Sequence, residues 1–424
     1  MKLNLKYGRG MVQADFRAPR RFAELKPKFI ATLQKPENLV SQALAHPIGC
    51  HDFDYVFRSA SSVLIVVPDE AQRVGGGVFL PIVLERLYRL GLSSRDITIL
   101  VAGVWGARRN GIPQLLGARS SGHGHPRIVY HDARDAKSME YIGRTRRNTP
   151  IFVNRLLLDF DRVLVCGGVN HHPFAGYDGG PSLVVPDCAG AETITRLSAL
   201  TLDPFSPRLH PHCRGGVIEG NPLQEDMREA FRFLTIDFLL HTILNDCNQV
   251  IGAVGGEPLQ AYAACCHRID DIYRVPVAQL ADLVLVSGGG YPHDRDYDTA
   301  HRALHHAIQA VRPGGVVILA AQCLEGAGAA QLATWLNEKD LSRLHEQLQR
   351  QYHPAGALAM STRQKAGHAR IIFISNLDSA LVTALGFHSA PTLSEALQLA
   401  YAWLPNIDNC YLLPNGSNTI PFLV

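Results

Sequence analysis

Short runs of β-branched and aliphatic residues alternate along the chain with stretches whose apolar positions recur every three or four residues. The runs at 62–67, 97–102, 162–166, 283–287, 316–320 and 371–375 are predominantly apolar, and most are closed by a Gly or Pro. Such runs read as strands buried on both faces, as in a parallel sheet. Between the first two, residues 78–90 carry Val78, Ile82, Leu84 and further leucines at helical spacing, with Arg86 and Arg89 turned outward. A repeating order of strand, glycine-containing loop and helix predicts an α/β architecture of doubly wound, Rossmann-like domains. In such sheets ligands bind beyond the carboxyl ends of the strands, which directs attention to the loops starting at Pro68, Gly103, Gly167 and Gly288.

A chain of 424 residues suits two domains. The strand–loop–helix series restarts after 268–277, so the expected division is an N-terminal domain over 1–272 and a C-terminal domain over 273–407, with an interdomain cleft. The tail from 409 contains CYLLP and TIPFLV, and 408–424 is expected to return to the first domain as strands. Residues 331–351 read as one long helix with Leu332, Leu336, Leu341, Leu344 and Leu348 packing internally. The glycine-rich stretch 120–126 reads as a loop.

Charge narrows the function classes. Lys plus Arg number 41 and Asp plus Glu 38, a net of +3, which lacks the electrostatic footprint of a nucleic-acid binder. No stretch approaches the length of a membrane span, and the N-terminus MKLNLKYGRG lacks the apolar core of a signal peptide. Nine cysteines, an odd number without a C-x-x-C pair, read as reduced thiols, and the expected location is the cytoplasm. The partner that remains is a small anionic substrate.

Three loops carry candidate chemistry. After the strand at 162–166 comes GGVNHHPFAGYDGGPSLVVPDCAG, in which His171 and His172 precede glycines that permit close ligand approach. A histidine there serves as a base for a hydroxyl proton, or else satisfies a loop carbonyl. VVPDEAQRVGGG offers Asp69 for a hydroxyl and Gln72 and Arg73 beside a helix start that suits an anion. SGGGYPHDRDYDTAHR offers Asp294, Asp296 and Asp298 at a helix start, with Arg302 one turn on. LHPHC, with His210, His212 and Cys213, fits zinc spacing poorly, so no metal ligand is assigned. His305–His306 read as solvent-facing, and Cys265–Cys266 as packing.

The order HPIGC, the Asp69 loop, ITILVAG, TPIFVNRLLLDFDRVLVCGG, HHPFAGYDGG, IEGNPLQEDM and GGYPHD resembles the lactate racemase family of nickel-pincer hydroxyacid racemases and epimerases over nearly the whole chain. The resemblance implies a nickel-pincer nucleotide, tethered to a lysine and completed by a metal-binding histidine, with two catalytic histidines serving the two enantiomers. Matched position by position, His172 falls on a catalytic histidine and Asp69 on the first-loop aspartate. Gly179 and Gly180 match the family's G-G-R-K-S, but Ser182 stands at the lysine and Ser198 at the nickel histidine. Gln72 replaces the first-loop arginine, with Arg73 adjacent, and Trp105 stands where the second catalytic histidine belongs. Tyr291 and Asp294 match G-G-Y-P-x-D, and Thr299 and Arg302 take the places of a glutamine and a lysine.

Two expectations follow. The first is a divergent racemase or epimerase of a 2-hydroxyacid or sugar acid, with the pincer lost or held differently. The second is a protein that binds an anionic metabolite or nucleotide without nickel, with Trp105 as a stacking platform.

Overall fold

The computed structural model of the protein describes residues 1–30, 34–107, 111–116, 124–245 and 248–424. Of the 120–126 loop, only 124–126 fall within that set, and Cys247 lies outside it. The chain forms two compact α/β units, one of residues 29–200 and 212–271, the other of 1–28, 201–211 and 272–424.

The first unit is built on a six-stranded sheet in the order Val250–Gly256, Phe238–Leu244, Arg162–Gly168, Val63–Pro68, Ile97–Ala102, Arg127–Tyr130. All neighbours are parallel except the antiparallel pair Phe238–Leu244 and Val250–Gly256. Side-chain alternation explains the unbroken apolar runs. Val63, Ile65 and Val67 enter one core with Phe79, Val83 and Leu87 of the helix Gly76–Arg89, while Leu64 and Val66 enter a second core on the opposite face. From Val63–Pro68 the chain winds outward to one side and then returns on the other at Arg162–Gly168. The loops leaving these two strands therefore diverge at a topological switch point, where open α/β sheets place their ligands.

The second unit has a fully parallel six-stranded sheet in the order His388–Ser389, Arg370–Ile374, Val311–Ala320, Ala281–Ser287, Asn409–Leu413, Arg21–Glu24. This corrects the expected fate of the tail. Residues 410–413 pair with 283–286 inside this sheet, and Arg21–Glu24 adds its edge strand. Ile420–Leu423 pairs with Arg274–Val277. The apolar pattern is the same in both units, so periodicity could not decide which sheet the tail completes. The switch point here lies between Ala281–Ser287 and Asn409–Leu413, above which run the Gly288–Gly290 loop and Asn415.

Two other expectations change. The stretch 331–351 is two helices, Leu332–Leu336 and Leu341–Arg350, because Asp340 turns out of helical geometry and caps the second by accepting from the Ser342 and Arg343 amides. Its leucines pack inward as expected, with Leu332, Leu336, Leu344 and Leu348 buried in the core. His306 is buried rather than solvent-facing, its Nδ1 2.7 Å from the Gly416 carbonyl. Among the described residues no helix is long and apolar enough to cross a membrane.

The second unit also encloses a lysine. Lys365, on the helix Pro354–His368, is buried, and its ammonium reaches the hydroxyl and carbonyl of Ser361 one turn earlier. Burial pulls its pKa down to about 7 from the usual 10.5, and its proximity, after burial itself, helps hold His301 far below the ordinary histidine range. Because the folded state binds its proton more weakly than the unfolded chain, the cost is fully present below pH 7 and vanishes above 10.5. Stability should therefore rise with pH across that window. Lys365→Met should raise the melting temperature at pH 7 by roughly 5 °C or more and flatten that rise, as read by calorimetry from pH 7 to 10.5.

Candidate functional site

The richest cluster of predicted residues lies at the carboxyl end of the first unit's sheet. Beyond Arg162–Gly168 the chain makes a narrow hairpin in which His171 pairs with Tyr177 and His172 with Gly176. Its base is closed by Asn170, whose amide donates to Asp178 Oδ1 at 2.6 Å and whose carbonyl accepts from the Asp178 amide at 2.9 Å. Beyond its tip, the Phe174 carbonyl accepts from Asn221 Nδ2 at 2.8 Å. Asn221 also caps the helix Pro222–Phe231 by accepting from the Leu223 and Gln224 amides. The asparagine of the IEGNPLQEDM run is thus structural, tying a helix start to the hairpin.

The two adjacent histidines serve different ends. His171 is buried, with Nε2 2.7 Å from Asp270 Oδ1. His172 is half-buried, and its Nδ1 accepts from the backbone amides of Ala175 at 2.9 Å and Phe174 at 3.2 Å. A ring nitrogen that accepts two N–H groups carries the lone pair, so the neutral ring holds its proton on Nε2. In its resting form His172 therefore presents an N–H at Nε2.

After the hairpin, Gly179 and Gly180 turn the chain with φ of 76° and 54°. No side chain fits at either position. A Cβ on Gly179 would lie 2.2 Å from the Gly168 carbonyl oxygen, and one on Gly180 2.3 Å from the Tyr262 ring. The Gly180 amide donates to His241 Nε2 at 2.6 Å, while His241 Nδ1 lies 2.9 Å from the Leu240 carbonyl. Burial pushes the His241 pKa down to about 4, which keeps the ring neutral and Nε2 an acceptor. Ser182 is buried, and its hydroxyl donates back to the Gly179 carbonyl at 3.2 Å.

The neighbouring strands contribute Asp69 and Trp105. Asp69 follows Val63–Pro68, its amide donating to the Ala102 carbonyl at 2.9 Å. Trp105 follows Ile97–Ala102 in a left-handed conformation, φ 67°, and packs half-buried against the second core of the unit. The Gly103 amide of the same turn donates to the Asp187 carbonyl at 2.9 Å. Burial first, then the charges of Asp178 and Asp69, push the Asp187 pKa up to about 8, so this carboxyl is protonated at neutral pH. Gln72 and Arg73 lie on the short helix Ala71–Val74, and Arg73 is engaged at 2.9 Å with both oxygens of Glu70.

Tyr291, Asp294, Thr299 and Arg302 belong to the second unit. Tyr291 is exposed, with the Arg9 guanidinium 5.1 Å from its ring centre. Asp294 is fully buried, and its Oδ2 accepts from the Gly8 amide at 2.6 Å and the Gln322 amide at 3.1 Å. Thr299 donates its amide to Asp296 Oδ1, the cap of the helix Tyr297–Ala307, which also carries Arg302 half-buried. In the LHPHC run, Cys213 is buried against Asn221 Oδ1 at 3.4 Å and His212 Nδ1 lies 3.1 Å from the Gly220 carbonyl, so both are absorbed locally. Among the described residues no three His, Cys, Asp or Glu side chains converge as a metal site.

Sequence reading missed Asp178, Asp187, His241 and Asp270. Asp178 and Asp187 lay within the quoted glycine-rich segment and could have been weighed there. His241 and Asp270 are 61 and 99 positions from the groups they hold, without a motif to mark them.

The N-terminal domain model of lactate racemase matches residues 7–205, and the C-terminal domain model residues 277–420. The lactate racemase of Thermoanaerobacterium thermosaccharolyticum is 27% identical over 395 residues, covering 91% of this chain and 90% of that protein. The lactate racemase of Lactiplantibacillus plantarum is 26% identical with the same coverage. Among solved structures, the lactate racemase apoprotein from T. thermosaccharolyticum aligns with a TM-score of 0.88 at 24% identity, over 99% of this chain and 100% of that one. A Thermotoga maritima protein aligns at 0.65 and 15% identity, over 94% and 100%. At these identities the two structures speak to the fold alone.

The glycine turn yields a stability test. Gly180→Ala should destabilise the first unit by at least about 2 kcal/mol, because its Cβ meets Tyr262 and its φ is left-handed. His241→Ala should cost about 2–4 kcal/mol by opening a cavity and stripping the Gly180 amide of its acceptor. The stability that neutral His241 contributes is complete above pH 6.5 and is lost as pH falls towards 4, so denaturant titrations at pH 7 and pH 5 should show a smaller variant deficit at pH 5.

Proposed function

Because the chain belongs to the lactate racemase family, we propose that it is a divergent racemase or epimerase acting on a small 2-hydroxyacid or sugar acid without the family's lysine-tethered nickel pincer. The observation that carries the substrate half of this reading is the placement of His172. It stands at the switch point of the first unit with its proton on Nε2, suited to donate to the oxygen on the reacting carbon. Asp187, protonated at neutral pH, lies beside the charged carboxylates of Asp69 and Asp178, so this sheet end holds bases that can take the hydrogen of the reacting carbon as a proton and an acid that can return one.

The cofactor half rests on the donor set. The resemblance assigns the tether to position 182 and a nickel ligand to position 198, and both are serine here. A serine hydroxyl cannot form the linkage that a lysine amine makes, and serine is a poor ligand for nickel. The Ser182 hydroxyl is moreover turned back onto the Gly179 carbonyl. The residues present do not fit the tethered group, and no step of the reaction is routed through it.

One observation favours a second reading, in which an anionic metabolite or nucleotide is bound without turnover. Trp105 stands where the resemblance places a second catalytic histidine, and an indole can stack on a ring but cannot accept a proton.

The test combines intact mass and nickel content, on protein co-produced with the pincer-cofactor biosynthetic enzymes, with chiral chromatography of single-enantiomer 2-hydroxyacids and sugar acids. Conversion by protein of unmodified mass and without stoichiometric nickel is the expected result. A mass adduct with stoichiometric nickel would overturn the cofactor half. Thermal stabilisation by hydroxyacids or mononucleotides with no conversion would establish the second reading instead. Neither conversion nor stabilisation would sink both.

A further inference from the structure

We infer that Asp270 is a positioning residue for His172, acting through a two-armed clamp on the hairpin that carries it. The inference rests on the reading of His172 as the group that meets substrate. Adjacent residues on an extended strand project to opposite faces, so in this hairpin the side chains of His171 and His172 diverge. The face of His171 and its cross-strand partner Tyr177 is gathered onto one carboxylate. Asp270 Oδ1 lies 2.7 Å from His171 Nε2, and Oδ2 accepts from the Tyr177 hydroxyl at 2.8 Å. The two rings also lie against each other, centres 5.1 Å apart.

Because each oxygen takes a different strand of the hairpin, the carboxylate fixes the register of the strands and their rotation about the hairpin axis. A slip of one residue would exchange the faces of His171 and His172. Asp270 belongs to the rigid helix Pro258–Tyr273, which also carries Tyr262, the ring packed against Gly180. One helix thus holds both the His172 hairpin and the following glycine turn. With the hairpin fixed, the Phe174 and Ala175 amides are held against His172 Nδ1, and the ring keeps its proton on Nε2. Loss of the clamp frees the two strands to shift in register, which reshapes the 173–175 tip and takes the Phe174 and Ala175 amides out of line with Nδ1, so that they no longer dictate the tautomer.

The two sides of the hairpin explain why a merely structural role is insufficient. A His–Asp–Tyr cluster whose only task was cohesion would affect the melting temperature when broken. It would have no reason to alter the protonation pattern of a ring on the opposite face.

The measurement is nitrogen-15 NMR of the imidazole rings in full-length protein labelled at histidine, with His171→Gln and His172→Gln used for assignment and circular dichroism confirming the fold. The wild-type protein should show His172 as a single Nε2–H tautomer. Asp270→Ala should convert it to a mixture of tautomers, and Asp270→Asn, which preserves an acceptor for His171, should restore most of the wild-type pattern. If Asp270→Ala does not fold, Tyr177→Phe removes one arm alone and should give a partial shift at His172. An unchanged His172 signal in a folded Asp270→Ala or Tyr177→Phe protein would overturn the clamp. A wild-type His172 protonated at Nδ1 would overturn the donor role proposed above instead, so the two failures are told apart without a substrate.

Discussion

The hydrogen bond from the Gly180 amide to a buried, neutral His241 is the contact on which the site depends. It joins the end of the hairpin and its glycine turn to the adjacent parallel strand Phe238–Leu244, in the interior of the sheet. An amide at this depth needs an acceptor, and an imidazole supplies one only while it is neutral. Burial secures that protonation state, and the carbonyl of Leu240 fixes the tautomer by taking the proton of the other nitrogen. Everything downstream, from the backward-facing Ser182 hydroxyl to the Asp187 carbonyl that receives Gly103, hangs on a turn only glycine can make.

The same end of the sheet concentrates unusual electrostatics. Asp69, Asp178 and Asp187 share a region in which burial and mutual repulsion keep one of the three protonated. Nearby, Arg73 is committed to Glu70. The same sheet end thus holds the Asp187 carboxyl in its neutral form and, on the hairpin, His172 with its Nδ1 taken up by two backbone amides.

Much of the architecture was legible in the order of apolar runs. A strand buried on both faces is predominantly apolar and ends where the backbone turns, and residues 63–68, 97–102 and 162–168 follow that rule. Phe238–Leu244 was less visible, because His241 interrupts its apolar run. The helix break at Asp340 was overlooked because leucine periodicity survived across it, although an aspartate before a helical start is a capping signal. His306 was misplaced because a polar residue on an amphipathic helix reads as exposed unless its partner, here the Gly416 carbonyl 110 positions away, is known.

The sequence by itself determined the fold class and the family. Each of these follows from residue identity and local order. Tertiary structure alone decided that the tail completes the second sheet, that Arg73 faces Glu70, that His172 rests as a donor, and that Asp270 clamps its hairpin. Strand partnership, tautomer and carboxyl protonation depend on groups brought together from distant positions, where burial and hydrogen-bond geometry set the energy, and no local pattern encodes them.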